Sequence, residues 1–325
     1  MKRVALGRTG LQVSRMAFGS LTMGPLQRDL SPQAGGDLLV YAYERGVNFV
    51  DTAELYGTYP HIRQALKAIP REDYVISTKS YAYDTKTAEA SLTLALEALG
   101  TDYLDLFMLH EQESAHTLRG HREALDYFLE QKSKGIIKAV GLSTHFVAAA
   151  LAAAKTPELD VLHPIINLKG TGIQDGTAED MLKAIHAFKT RPQGGSVFAM
   201  KPLAGGHLIK TPKEAFDFLL NNPDLDAIAV GMQSFEEIDA NLALFDSKPI
   251  PPELQNKLNQ TKRRLMVHDW CTGCGNCERR CQQQAIKVIA DPGHDNKPRA
   301  VVDHQKCVLC GYCSAVCPEF CLKVI

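Results

Sequence analysis

The chain has 325 residues, 36 of them basic and 37 acidic, a near balance that gives no electrostatic case for nucleic acid or an anionic membrane as partner. Met1 to Arg8 lacks the apolar core of a secretory signal, and no run of about 18 uncharged apolar residues offers a membrane span, so a cytoplasmic protein is expected. All nine cysteines lie between Cys271 and Cys321, which marks a second, small domain behind a cysteine-free body.

Val4 to Val13 reads as a β-hairpin, with Gly7 and Thr9-Gly10 between two short apolar pieces. Met16 to Ser20 is a short strand. Ser31-Pro32 starts a helix, with Ser as N-cap and Pro in the first position, and Gly46 stops it after Arg45. The next strand, Val47 to Val50, ends abruptly in Asp51, and Tyr56 stands just before a turn at Gly57. A helix from about His61 to Ile69 is expected. Tyr74 to Lys79 is a strand. Thr87 to Leu99 is a helix with Ala88, Leu92, Leu96 and Leu99 on one face, and Leu104 to Leu109 is a strand stopping at His110. A helix over Arg119 to Lys134, a strand over Ile137 to Leu142 and an Ala-rich helix over Phe146 to Lys155 follow. Val161 to Ile166 is a strand interrupted by Pro164. Thr177 to Arg191, Ser196 to Met200, Lys213 to Asn221, Ala227 to Val230 and Phe235 to Phe245 complete the alternation.

Eight strand-helix units in about 230 residues predict an α/β fold, a closed (β/α)8 TIM barrel. An open doubly wound sheet is the runner-up. It would bind its dinucleotide through a Gly-rich first turn, but the nearest candidate, Gly170-Thr171-Gly172, has Asp175 where the third glycine would fall.

A barrel of this kind carries its site at the C-terminal ends of its strands. Asp51, Lys79 and His110 stand there on three consecutive strands, with Tyr56 on the adjoining loop. Asp51 can pair with Lys79 and hold it charged. An ammonium near a phenol favours the phenolate and lowers the tyrosine pKa. Tyr56 can then give a proton to a carbonyl oxygen as hydride reaches the carbon, and His110 can orient that oxygen.

Asn48 to Gly57, Val75 to Lys79, and Leu92 through Gly100-Thr101-Asp102-Tyr103-Leu104-Asp105-Leu106 to His110 resemble the aldo-keto reductase family. So do Leu6-Gly7-Arg8-Thr9-Gly10-Leu11, Val13-Ser14 and Phe18-Gly19. The resemblance covers roughly residues 1–250. It implies Asp51, Tyr56, Lys79 and His110 as the catalytic set, a small carbonyl or alcohol as substrate, and NADPH or NADH as hydride donor. It further implies nicotinamide contacts at Gly19, Ser20, Leu21, Ser143 and Asn167. Lys201-Pro202-Leu203 stands where the family usually has Ser-Pro-Leu, and Lys201 could meet a pyrophosphate as a point charge. Gly205-Gly206 and Gly231 suit close phosphate approach, or are simple turns.

The sequence departs from the family in places. Ser143-Thr144-His145 replaces the family's frequent Ser-Asn, and Met200 replaces an aromatic residue that would stack on nicotinamide. Gly231-Met232, Glu237 and Asn241 occupy the positions that hold an adenosine 2′-phosphate, and only Asn241 matches. A carboxylate repels that phosphate but can accept from a free 2′-hydroxyl, which leaves NADH against NADPH open.

Pro249-Ile250-Pro251-Pro252 punctuates the end of the barrel, and Glu253 to Met266 reads as a linking helix. The expected parts are therefore 1–250, a linker over 251–267, and 268–325. Cys271, Cys274, Cys277 and Cys281 follow a C-x2-C-x2-C-x3-C spacing that Cys307, Cys310, Cys313 and Cys317 repeat before Pro318. This doubled pattern resembles the bacterial two-cluster ferredoxin. It implies one 4Fe-4S cluster on Cys271, Cys274, Cys277 and Cys317, and a second on Cys307, Cys310, Cys313 and Cys281. Zinc is the rival metal for such pairs. Two strands are expected near Ile286 and Val301, and Cys321 is left over as a small buried residue of a terminal helix.

Hydride carries two electrons, whereas a 4Fe-4S cluster normally takes one. A flavin usually mediates; no flavin motif is visible, although the loops after strands seven and eight could hold an FMN phosphate. The expected function is an oxidoreductase in which Tyr56 serves NAD(P)H-linked carbonyl chemistry and the clusters exchange electrons with a partner protein or substrate. The alternatives are an electron-transfer or redox-sensing protein with the barrel as docking body, and clusters that only hold structure.

Overall fold

The computed structural model describes residue 1 and residues 3–325. Strands β1 (Arg3–Ala5) and β2 (Gln12–Ser14) pair antiparallel as the expected hairpin. It closes the bottom of a barrel: Leu6 and Val13 pack with Ala17, Phe49, Leu106 and Phe198 inside it. Ser196, the first residue of its barrel strand, donates from Oγ to Leu6 O at 2.9 Å. Gly7 sits beside it at φ +47°, where a Cβ would lie 2.3 Å from Ser196 Oγ.

Eight parallel strands form the barrel: β3 (Met16–Gly19), β4 (Phe49–Asp51), β5 (Val75–Ser80), β6 (Leu104–Leu109), β7 (Ile137–Thr144), β8 (Val161–Pro164), β9 (Ser196–Met200) and β10 (Ala227–Gly231). β10 closes onto β3. These strands are buried on both faces, as their near-continuous apolar runs require. The barrel helices are α1 (Pro32–Glu44), α2 (Tyr59–Ala65), α3 (Thr85–Leu99), α4 (Ala115–Gly120), α5 (Arg122–Ser133), α6 (Val147–Ala154), α7 (Ala178–Thr190), α8 (Pro212–Leu220) and α9 (Phe235–Phe245). The helix expected from Arg119 is two: Ser114 caps α4 early, and His121, at φ −104° and ψ 17°, breaks the run. β8 stops at Pro164, beyond which Ile165 bridges to Met200.

The linking helix, α10 (Pro252–Gln260), ends six residues before Met266, because Leu265–Val267 instead forms strand β11. β11 pairs antiparallel with the last strand, β14 (Leu322–Val324). Cys321 therefore precedes a strand and is not in a helix. Between them lie α11 (Asn276–Arg280) and the antiparallel pair β12 (Ile286–Asp291) and β13 (Lys297–Val302). The terminal segment seats on the barrel mouth. Phe320 is 2% exposed and belongs to the barrel's main apolar core. His207, in the loop after β9, donates from Nε2 to Leu322 O at 3.1 Å. No helix among the described residues is long and apolar enough to cross a membrane.

Candidate active site and cluster cavities

β4 ends in Asp51, and the 3-10 turn Glu54–Tyr56 that follows is stopped by Gly57 at φ +65°. Lys79 lies near the end of β5, and His110 follows β6, its backbone N–H donating to Ser80 O. The four expected catalytic residues thus gather at the C-terminal rim. Lys79 is fully buried and donates from Nζ to Asp51 Oδ1 at 2.7 Å and to Thr52 O at 2.6 Å. Ser77 Oγ adds a bond to the same carboxylate oxygen at 3.2 Å. Burial opposes ionisation of Asp51, but the Lys79 ammonium outweighs it and holds the carboxyl well below its usual range. The Lys79 ammonium is 5.2 Å from the centre of the Tyr56 ring. That ring stands edge-on to His110, with centroids 5.6 Å apart, and Tyr81 stacks on His110 at 4.5 Å. Burial pushes His110 down to about 3, so its imidazole is neutral, and its Nδ1 has no hydrogen-bond partner.

The expected phenolate is not what this geometry favours. Burial, then the charges of Asp51 and Glu111, raise the Tyr56 pKa well above its ordinary value. Lys79 does not reverse this, because its ammonium is bonded to Asp51 and Thr52 rather than to the phenol. The resting group is a proton donor.

Asp51 and Tyr56 form part of the wall of a cleft of about 680 Å³. Gly19, Leu21, Lys201, Pro202 and Leu203 line it, as do Gly231 and Asn241 toward α9. Ser20, Ser143, Asn167 and Met232 do not; all four are fully buried. Ser143 Oγ accepts from Glu111 N at 2.9 Å. Asn167 spends its carboxamide within its own loop, on Lys169 and Thr171. Gly205 and Gly206 also line the cleft, and they make room for the terminal strand. A Cβ on Gly205 would lie 2.8 Å from Lys323 Cδ, and one on Gly206 would lie 2.4 Å from Val324 O, so these glycines admit the terminal strand. Glu237 is likewise engaged: it accepts from Gln233 N at 2.7 Å and from Arg263 Nη2 at 2.8 Å.

Among the cleft residues that had no place in the sequence reading are His163, Arg263, Leu309 and Lys323. His163 sits on β8 with Nδ1 donating to Phe198 O at 2.7 Å and Nε2 3.5 Å from Asp51 Oδ2. Nothing marks it apart from a polar residue inside an apolar strand. Arg263, Leu309 and Lys323 reach the cleft from the linker and the cysteine domain. Only Lys323 carried a signal, as the lone charge in Phe320-Cys321-Leu322-Lys323-Val324-Ile325.

The cysteines surround two small cavities. Cys271, Cys274, Cys277 and Cys317 line one, together with Cys321; Cys281, Cys307, Cys310 and Cys313 line the other. Each cavity draws three thiols from one run and the fourth from the other, the donor set that suits a cubane. Among the described residues no three His, Cys, Asp or Glu side chains close on a point fit for a single ion. Cys321 Sγ lies 3.4 Å from Cys317 Sγ.

Residues 15–217 match the model of the Aldo/keto reductase family, and residues 270–321 match that of a 4Fe-4S dicluster domain. L-galactose dehydrogenase of Arabidopsis thaliana is 25% identical over 283 residues, 74% of this chain and 86% of that protein. The NADH-specific methylglyoxal reductase of Escherichia coli (strain K12) is 30% identical over 167 residues, which span 43% of this chain and 51% of that protein. The holo form of an aldo-keto reductase from Bacillus halodurans superposes with a TM-score of 0.63 at 22% identity, over 80% of this chain and 96% of that one.

Proposed function

This chain belongs to the aldo/keto reductase family, and on that premise we propose that it reduces a small carbonyl with NAD(P)H, or oxidises the corresponding alcohol, with Tyr56 as the acid-base group. The observation that carries the reading is the meeting of Asp51, Tyr56, Lys79 and His110 at the cleft, with Asp51 and Tyr56 in its wall and Lys79 and His110 buried behind them. A bound nicotinamide supplies the hydride. Tyr56, kept protonated by burial, gives its proton to the carbonyl oxygen as negative charge grows there. The bond to Asp51 fixes the Lys79 ammonium, which stands 5.2 Å from the centre of the phenol ring. His110, neutral, offers a hydrogen bond to the same oxygen and fixes its position. Leu21, Met200 and Leu203 supply apolar wall that excludes water from the reacting carbon.

The two cysteine quartets would hold 4Fe-4S clusters, which supply one-electron chemistry when bound. Leu309, between two cysteines of one quartet, is also part of the cleft wall, which supports exchange of electrons between that cluster and whatever the cleft holds. A two-electron donor would need a one-electron mediator such as a flavin in between. A second reading, an electron-transfer or sensing protein with the barrel as docking body, is favoured by Ser143 and Asn167 spending their polar groups on backbone of the protein itself, Ser143 on Glu111 and Asn167 within its own loop.

Anaerobic titration of the cluster-loaded protein with NADH and NADPH, followed by addition of aldose sugars or methylglyoxal, separates the readings. Carbonyl-dependent oxidation of either nucleotide supports the reductase. Failure to bind either nucleotide gives the ground to the second reading. Bleaching of the cluster absorbance before any carbonyl is added would join the two halves into one redox path.

A further inference from the structure

The seam between barrel and cysteine domain holds two lysines in the cleft wall, Lys201 from the loop after β9 and Lys323 from β14. Both ammoniums face the Phe320 ring, Lys323 at 2.9 Å from its centre and Lys201 at 5.2 Å. Lys323 is only 5% exposed, and its ammonium donates to the Phe320 carbonyl. Lys201 Nζ donates to His145 Nε2 at 2.5 Å, which puts the His145 proton on Nδ1, toward Glu111 Oε1 at 3.8 Å. Glu111 in turn accepts from the Tyr81 hydroxyl. Among the described residues neither lysine has a carboxylate within ion-pair distance.

A buried ammonium and a half-buried one in one wall, with no carboxylate within ion-pair distance of either, form an arrangement that an anion completes. The backbone agrees that the seam is built for a purpose other than packing. Glu111, Lys201 and Phe320 are all held in left-handed conformations, at φ 48°, 58° and 45°. Strain of this kind in non-glycine residues persists where the surrounding structure overrides it, and it clusters at active sites, ligand clamps and switch regions. Burial holds Lys201 down to about 8, and burial together with Lys201 pushes Lys323 well below the lysine range. A bound anion would favour the charged form of both.

We propose that Lys201 and Lys323 form a two-lysine anion site across the domain seam, and that its ligand is the phosphate or diphosphate of the nucleotide cofactor held in the cleft. Its position fits a diphosphate. Asp51 and Tyr56 lie at the catalytic end of the cleft, Asn241 and Arg263 stand at the α9 end, and the loop after β9 supplies wall to the same cleft. The cysteine domain thereby becomes part of the nucleotide site. Binding of the nucleotide and seating of β14 on the barrel reinforce each other, because Lys323 can reach the anion only when Phe320 is docked. This rests on the proposed nucleotide-dependent reading, with one separable part: the anion site itself needs only a phosphate.

The test is calorimetric titration of the cluster-loaded protein under anaerobic conditions with ADP-ribose, FMN and inorganic pyrophosphate, in wild type, Lys323→Met, Lys323→Arg and Lys201→Met. Cluster absorbance confirms that each variant is loaded. The expected result is binding of ADP-ribose and pyrophosphate that each Met variant weakens about tenfold or more, the loss of one charge-assisted hydrogen bond, with Lys323→Arg close to wild type. Lysine-dependent binding of FMN and pyrophosphate without ADP-ribose binding would uphold the anion site and remove the dinucleotide reading. ADP-ribose binding unchanged in Lys323→Met would leave the dinucleotide reading standing and overturn the seam site. Binding of none of the three by wild type would overturn it as well.

Discussion

Lys79 Nζ and Asp51 Oδ1 meet at 2.7 Å in a place where the lysine side chain is 0% exposed and the aspartate side chain 6%. Such a pair is stable only whole. Replacing Lys79 by Met should cost about 3–5 kcal/mol, because it leaves a buried carboxylate uncompensated. Replacing both, as Asp51→Asn with Lys79→Met, should recover much of that loss. Chemical denaturation of both variants beside wild type checks this; a single variant as stable as wild type would show that the pair is not closed to water.

Buried neutral histidines make stability fall in acid. His110 is pushed down to about 3 by burial, so between about pH 3 and pH 6.5 the unfolded chain binds a proton that the folded chain refuses. Stability therefore rises with pH across that window, by up to about 1.4 kcal/mol per pH unit from this one group. His145, lowered by burial and then by Lys201, acts in the same direction. His110→Asn should flatten the slope, measured as denaturation midpoints across the window.

Cys281 is the last cysteine of the first run in sequence but lines the cavity of the second. Cys281→Ser should therefore perturb the cluster on Cys307, Cys310 and Cys313 and spare its neighbour. Electron paramagnetic resonance of the reduced protein should lose the spin coupling between two clusters and keep one signal. Loss of the cluster on Cys271, Cys274 and Cys277 instead would reverse the pairing.

Phe320 anchors the cysteine domain to the barrel core, and truncating it to Ala should cost about 3–5 kcal/mol and loosen the seam. Gly206→Ala should loosen it by a separate route. The residue sits at φ +91° and its Cβ would lie 2.4 Å from Val324 O. Limited proteolysis between Gln260 and Leu265 should be faster in both variants.

The barrel was legible because its strands are continuous apolar runs closed by helix-stop glycines, such as Gly46 and Gly100, and because Asp51, Lys79 and His110 interrupt those runs at one end. Three thiols of each cysteine quartet were legible from their close spacing, whereas the fourth, which crosses from the other run, was implied by the resemblance to two-cluster ferredoxins. What stayed hidden depends on contacts far apart in sequence. Arg263 meets Glu237, Lys323 joins Lys201, and His163 faces Asp51. Periodicity carries no information on such encounters. Ser143 and Asn167 were placed in the cleft by resemblance, whereas Ser143 Oγ is held by the backbone N–H of Glu111 beyond the neighbouring strand and Asn167 by its own loop. The phenol's protonation also had to wait for the structure, since burial and the bonding of Lys79 to Asp51 decide it.

The central claim is that Tyr56 carries the proton in carbonyl reduction. The most direct measurement is steady-state oxidation of NADH or NADPH by the best carbonyl found, in wild type and Tyr56→Phe, with nucleotide binding measured alongside. The account predicts that the Phe variant keeps its nucleotide affinity and loses about 100-fold or more in kcat, the scale of a positioned general acid. Turnover unchanged in Tyr56→Phe would contradict it.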